Sequence, residues 1–226
     1  MIDLHTHTLL SDGVLIPAEH IRRAEVKGYR ILGFSDHVDL STMKSVIKQL
    51  LIAAKRESEL CNMKVLAGVE LTHIRPCHIA EATKTARELG AHFVIVHGET
   101  ISEPVASGTN RAAIKACVDI LAHPGLITEE DVSLAAKNNV LLEISAKSGH
   151  SLCNGHVAAL ARKFGARLIF GSDAHTPDQM TTREYAEQIC SGAGLMRDEI
   201  GKMFNHAEQF AIHRLEQAAA NQHPDW

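Results

Sequence analysis

At 226 residues the chain can bury one substantial core, near the lower end for an α/β barrel and too long for most small all-β modules. Its 45% hydrophobic and 22% charged residues are those of an ordinary globular protein. A formal charge of −4 and few aromatics (six Phe, two Tyr, one Trp) argue against a binder of long nucleic acids, which needs a basic face or a stacking platform.

Five dispersed cysteines (61, 77, 117, 153, 190) with no Cys-x-x-Cys pair predict reduced thiols and a cytoplasmic setting. No leader pattern and no long apolar run are apparent, so neither secretion nor a membrane span is expected. Fifteen histidines are an excess that calls for a reason.

Seven apolar or β-branched runs read as strands: 2–5, 31–35, 65–70, 92–97, 118–123, 140–145 and 168–172. Several lack polar alternation, as expected for parallel strands covered on both faces. A helix opens at Pro17 and ends at Gly28; others are predicted over 42–60, 79–89 and 157–164. Helix, glycine, then strand recurs around Gly28, Gly90 and Gly165, and Asn138-Asn139 plays the same part before Val140. Residues 197–220 read as one or two closing helices and 221–226 as a tail. This alternation implies a single-domain α/β fold with right-handed crossovers, spanning residues 1–226.

Ligand-type residues stand at the strand ends. The first run delivers His5 and His7, two apart and so on one face of an extended segment, with Asp12 five residues on. Later runs end in Asp36-His37, Glu70, His97, His123-Pro124 and Asp173-Ala174-His175. In α/β barrels these ends share the face that carries the chemistry. Imidazoles and carboxylates at that density would be hard to bury together without metal ions.

The phrases Asp3-Leu4-His5-Thr6-His7, Ser11-Asp12-Gly13, Ser35-Asp36-His37, Gly68-Val69-Glu70, His123-Pro124 and Ser172-Asp173-Ala174-His175 resemble the PHP (polymerase and histidinol phosphatase) family, over roughly residues 1–195. The resemblance implies a distorted (β/α)7 TIM-like barrel carrying two or three divalent ions, zinc, manganese or iron. It places one ion on His5, His7, Glu70 and Asp173, a second on Asp12, His37 and His175, and a third on His97 and His123 with Glu70 bridging. Some members have histidine where this chain has Asp12, which makes the second position harder and favours manganese or iron. His97 is followed by Gly98-Glu99-Thr100 rather than a His-Ser-x-His-type phrase, a further departure.

The expected activity is hydrolysis of a small phosphomonoester by a metal-bound hydroxide, with Asp12 or His175 as candidates for protonating the leaving group. Arg75, Arg111 and Lys147 are the candidate phosphate contacts. Glu99 and Glu143 are candidate acceptors for ligand imidazoles. His73 and His78 are placed at the pocket mouth. His150 and His156 are candidate substrate contacts and are not taken as metal ligands, and His20, His92, His206, His213 and His223 are read as structural or exposed. A nucleotide phosphatase or phosphodiesterase/exonuclease on short nucleotides is the nearest alternative. A non-catalytic metal-binding module and a C–N-cleaving amidohydrolase are weaker ones. Oligomeric state is left open.

Overall fold

Each apolar run predicted as a strand contributes to a parallel ladder in the computed structural model, which describes residues 1–220. The elements are β1 (Ile2–Asp3), α1 (Pro17–Val26), β2 (Ile31–Phe34), β3 (His37–Val38), α2 (Met43–Ser58), β4 (Lys64–Ala67) and β5 (Val69–Leu71). They continue as α3 (Ile79–Glu88), β6 (Val94–His97), α4 (Thr109–Lys115), β7 (Ile120–Ala122), α5 (Glu129–Asn138) and β8 (Leu141–Ser145). The last are α6 (Asn154–Phe164), β9 (Leu168–Gly171), α7 (Arg183–Gly192) and α8 (Arg197–Ala220). One sheet runs β1-β2-β4 and the other β3-β5-β6-β7-β8-β9.

Two lines of strand change sheet midway. β2 and β3 are separated by Ser35-Asp36, and the predicted run 65–70 breaks at Gly68 into β4 and β5. Counting each interrupted line once gives the seven predicted strands. β9 and β1 share no ladder; their continuations meet at an isolated parallel bridge, Thr6 to Ala174. The barrel is distorted accordingly.

Packing requires glycine at this break: a Cβ at Gly68 would stand 2.4 Å from the ring of Phe93. That ring is fully buried among Leu4, Ile31, Leu66, Ile95, Ile120 and Ile169, a core distinct from the larger layer between strands and helices. Helix α8 adds Ala207 and Ala211 to the same inner core. The closing segment is therefore one helix of 24 residues seated against the barrel interior.

The turn residues Gly28, Gly90, Gly165 and Asn139 all have positive φ, as predicted. Helices α4 and α7 have no counterpart among the predicted elements. The tail and His223 lie outside the described residues. All five cysteines are free thiols, and no helix among the described residues is long and apolar enough to cross a membrane.

Candidate metal centre

The donors ride on segments that leave the C-terminal ends of the strands. Thr6 is pinned by its bridge to Ala174 and by a hydroxyl donated to Gly33 O at 2.9 Å. His5 and His7, on either side of it, bring their rings to 5.1 Å. The buried Asp36 carboxylate accepts from Thr8 N (2.8 Å) and Ser11 Oγ (2.7 Å), which fixes the loop that presents Asp12. His37 pairs in register with Glu70 across β3 and β5. His123 and Asp173 follow β7 and β9 with φ of 27° and 53°, conformations that a non-glycine residue adopts only when its surroundings impose them.

The side chains converge. His5 Nε2 lies 3.4 Å from Glu70 Oε2, His7 Nε2 3.3 Å from Asp173 Oδ1, and His123 Nε2 3.5 Å from Glu70 Oε1. On the outer side His175 Nε2 is 3.1 Å and His37 Nε2 3.6 Å from Asp12 Oδ1. Most of these separations are long for charge-assisted hydrogen bonds, which close to about 2.7–2.9 Å. They match instead the edge of a coordination shell: donors held about 2.0–2.1 Å from a tetrahedral cation stand about 3.4 Å apart.

Burial sharpens the point. His5 Nε2, both ring nitrogens of His7 and His123, both Glu70 oxygens and Asp173 Oδ1 are buried without a hydrogen-bond partner. So many orphaned polar atoms at one place would be costly unless a cation satisfied them. The donor set therefore fits divalent metal.

The charge balance agrees. Burial lifts the Glu70 carboxyl, but His5 and His37 outweigh it and hold Glu70 well below the usual carboxylate range. Burial depresses His5, yet Glu143, Glu70 and Asp173 raise it well above the ordinary imidazole value. His37 and His123 are likewise raised against burial, chiefly by Glu70. The carboxylates thus demand positive charge. His7 is pushed down to about 3 by burial, which keeps it in the neutral form that ligates metal.

The donors do not partition cleanly into the three implied sets. Ring nitrogens and oxygens close enough to share an ion group as His7, Asp12, His37 and His175; His5, His7 and Glu70; His5, His123 and Asp173; and His97, His123 and His150. His150, left out of the ligand set on sequence, is buried and stacks on His123 with ring centroids 4.0 Å apart. Its one signal was position, since it follows the only strand whose tip lacked a ligand-type residue.

Glu143 accepts the anticipated role, with Oε2 2.5 Å from His5 Nδ1. Glu99 does not. Its Oε1 accepts from Gly108 N and Asn110 N at the start of α4. The acidic residue that does reach imidazoles from this loop is Glu103, which sequence reasoning passed over; it lies 3.2 Å from His97 Nε2.

Of the basic candidates, Lys147 is in the site, with Nζ 3.7 Å from Asp173 Oδ1 and 2.6 Å from His175 Nδ1. Arg111 is not: it pairs with Asp131 at 2.6 Å in the outer helical layer, so its expected phosphate contact is withdrawn. Arg75 is exposed, two residues past His73, whose ring lies 5.3 Å from that of His97. His78 faces Glu81 at 3.8 Å, with both side chains largely exposed. His156 donates to Ile127 O, His92 accepts from Ala67 N, and His20 is buried against Phe34. His206 and His213 are exposed.

Comparison with known proteins agrees with this architecture. The PHP domain family pattern matches residues 3–221. An uncharacterized protein of Methanocaldococcus jannaschii is 41% identical over 215 residues, 94% of this chain and 99% of that one. The crystal structure of histidinol phosphate phosphatase from Lactococcus lactis, complexed with zinc, L-histidinol and phosphate, superposes with a TM-score of 0.58 at 16% identity, covering 86% of this chain and 94% of that one. A chain of archaeal ribonuclease P with mature tRNA gives a TM-score of 0.67 at 18% identity, covering 98% and 95%. At those identities the two structures establish the shared fold.

Proposed function

The chain belongs to the PHP domain family, and from that premise and the geometry of its barrel mouth we propose that it is a metal-dependent phosphatase acting on a small phosphomonoester. The observation that carries the reading is the knot of buried, unpartnered donor atoms on His5, His7, Glu70, His123 and Asp173. A non-catalytic module of the same fold has no use for so costly a feature, and none of the nine expected ligand residues is missing.

His5, His7, Glu70 and Asp173 would hold one cation, Asp12, His37 and His175 a second, and His97 and His123 a third alongside Glu70. When bound, the cations supply Lewis acidity: they lower the pKa of water at the site and neutralise the oxygens of a phosphate ester. The chain's own groups do the rest by position. His5, His7, Glu70 and Asp173 are sealed in, whereas the side chains of His175, His37 and Asp12 are 14%, 24% and 57% exposed. Substrate therefore meets the Asp12 side of the cluster.

Asp12 and His175 are the groups we assign to proton traffic at the leaving oxygen. Although burial raises Asp12, the hydrogen bond from His175 and the charge of His37 hold it below the usual carboxylate range. Asp12 is thus an acceptor, with His175 Nε2 3.1 Å away on the same side of the cluster. The Lys147 ammonium, beside His175, is placed to meet a phosphate oxygen. The acidic surface and scarce aromatics leave little to grip a long polymer, which favours a compact ester over an oligonucleotide.

The test is metal content of protein purified without chelator, followed by phosphate release across a panel of phosphorylated metabolites, mononucleotides and a generic diester. Metal at one or more equivalents with turnover of a monoester is expected. Metal-free protein, or loaded protein inert on every monoester, overturns the reading. Lys147→Met should raise KM at unchanged metal content, and Arg111→Met should leave kinetics as they are.

A further inference from the structure

Glu103 and His150 stand outside the family-implied donors, yet the fold brings His150 to His97 and His123 and Glu103 to His97 and His150. The His150 ring is stacked on His123 at 20° and set edge-on to His97 at 88°, with all three imidazoles buried. The Glu103 carboxylate spans the opening: Oε2 is 3.2 Å from His97 Nε2 and Oε1 is 3.4 Å from His150 Nε2, with His73 Nε2 at 3.6 Å on the outside.

Hydrogen bonding fixes the free nitrogen of His97 and admits the ligating tautomer of His150. The His97 Nδ1–H donates to Gly98 O at 3.2 Å, which leaves Nε2 as a lone pair. The Thr100 hydroxyl lies 2.8 Å from His150 Nδ1 and accepts from it in the tautomer that ligates through Nε2. His150 Nε2 is then also a lone pair, aimed at Glu103 Oε1 and, at 3.7 Å, Asp173 Oδ2. Two lone pairs facing carboxylate oxygens repel unless a cation lies between them. The 3.2–3.4 Å spacings are again those of donors around one ion, about 3.4 Å for a tetrahedral shell.

We infer that His150 and Glu103 are additional ligands of the cation held by His97 and His123, with Thr100 as the residue that positions His150. The inference rests on the proposal that the barrel mouth holds metal. It changes the character of the third position. Two imidazoles and a shared carboxylate would leave it open; a third imidazole and a second carboxylate enclose it, and the nitrogen-rich set selects a borderline ion such as zinc over manganese. It also ties the loop after β6 to the loop after β8 through one ion.

Zinc titration of chelator-stripped full-length protein, with a competing indicator to resolve each step, tests this directly. Wild type is expected to take up two or three equivalents. Glu103→Gln, at a side chain 39% exposed, and His150→Asn should each lose one equivalent or weaken one step at least tenfold while the other steps stand. Thr100→Val should keep the stoichiometry and weaken that same step about 10–100-fold, as loss of a group orienting a ligand imidazole does. Because Glu103 is partly exposed, its variant reports even where the His150 variant unfolds. Wild-type zinc steps in Glu103→Gln overturn the assignment of Glu103, and wild-type steps in a folded His150→Asn overturn that of His150. A wild-type protein that binds no zinc, manganese or iron overturns the metal-centre reading instead, and this inference with it.

Discussion

Gly171 makes the support beneath His5 testable without replacing a ligand. It closes β9 directly under the Glu143 carboxylate, and a Cβ built there would lie 2.4 Å from Glu143 Oε2 and 2.9 Å from His5 Cβ. Ordinary contact begins at 3.4 Å, so the carboxylate must retreat by about 1 Å. That opens the 2.5 Å contact to His5 Nδ1 to about 3.5 Å, beyond hydrogen-bonding range. Gly171→Ala should therefore behave like removal of the carboxylate, weakening metal affinity or kcat/KM about 10–100-fold. Its overpacking cost to stability is about 1–3 kcal/mol. The decisive assay is a double-mutant cycle on zinc affinity. In a Glu143→Ala background the obstructing oxygen is gone and only the 2.9 Å approach to His5 Cβ remains, so Gly171→Ala should cost less there than in wild type. If the two losses multiply, or if Gly171→Ala alone binds zinc like wild type, the steric argument is wrong.

Replacing His7 or Asp173 with Ala should cut turnover by more than about a thousandfold and lower bound metal, with the far-ultraviolet dichroism of a folded chain retained; near-normal activity in either contradicts the site. Phe93→Ala empties the inner core at a fully buried ring and should cost about 3–5 kcal/mol in urea denaturation while leaving every donor in place. A loss under about 1 kcal/mol would mean the barrel interior is not packed as described. Asp3 is buried with Oδ2 unpartnered, and burial lifts its carboxyl from 3.8 to about 6. The folded state then holds this proton more tightly than the unfolded chain, so this group's contribution to stability falls as pH rises from about 4 to 6 and then levels. The step is worth about 3 kcal/mol, so the stability of Asp3→Asn relative to wild type should grow by that amount across the interval. A gap that stays constant with pH rules the effect out.

What the sequence could and could not disclose follows from how each feature is encoded. Strands, glycine turns and the donors at strand tips are local: Asp173 is legible because it ends an apolar run, and Glu70 because its neighbours are Gly68 and Val69. The need for glycine at position 68 is not local, since the ring it must clear is that of Phe93, which arrives just before β6. Arg111 failed for the same reason, because its partner Asp131 belongs to a different helix.

His150 and Glu103 are the instructive misses. Each lies in a loop without a ligand-rich phrase, and each gains meaning only when the loops after β6 and β8 are folded beside one another. Within the first loop, Thr100 and Glu103 are three residues apart, and they meet opposite nitrogens of one imidazole: the hydroxyl lies 2.8 Å from Nδ1 while the carboxylate faces Nε2. A motif reading scores residue types at fixed spacing. It has no means to score a hydroxyl set beside one nitrogen of a distant ring, and with the ligation inferred above that contact would separate an open third position from an enclosed one.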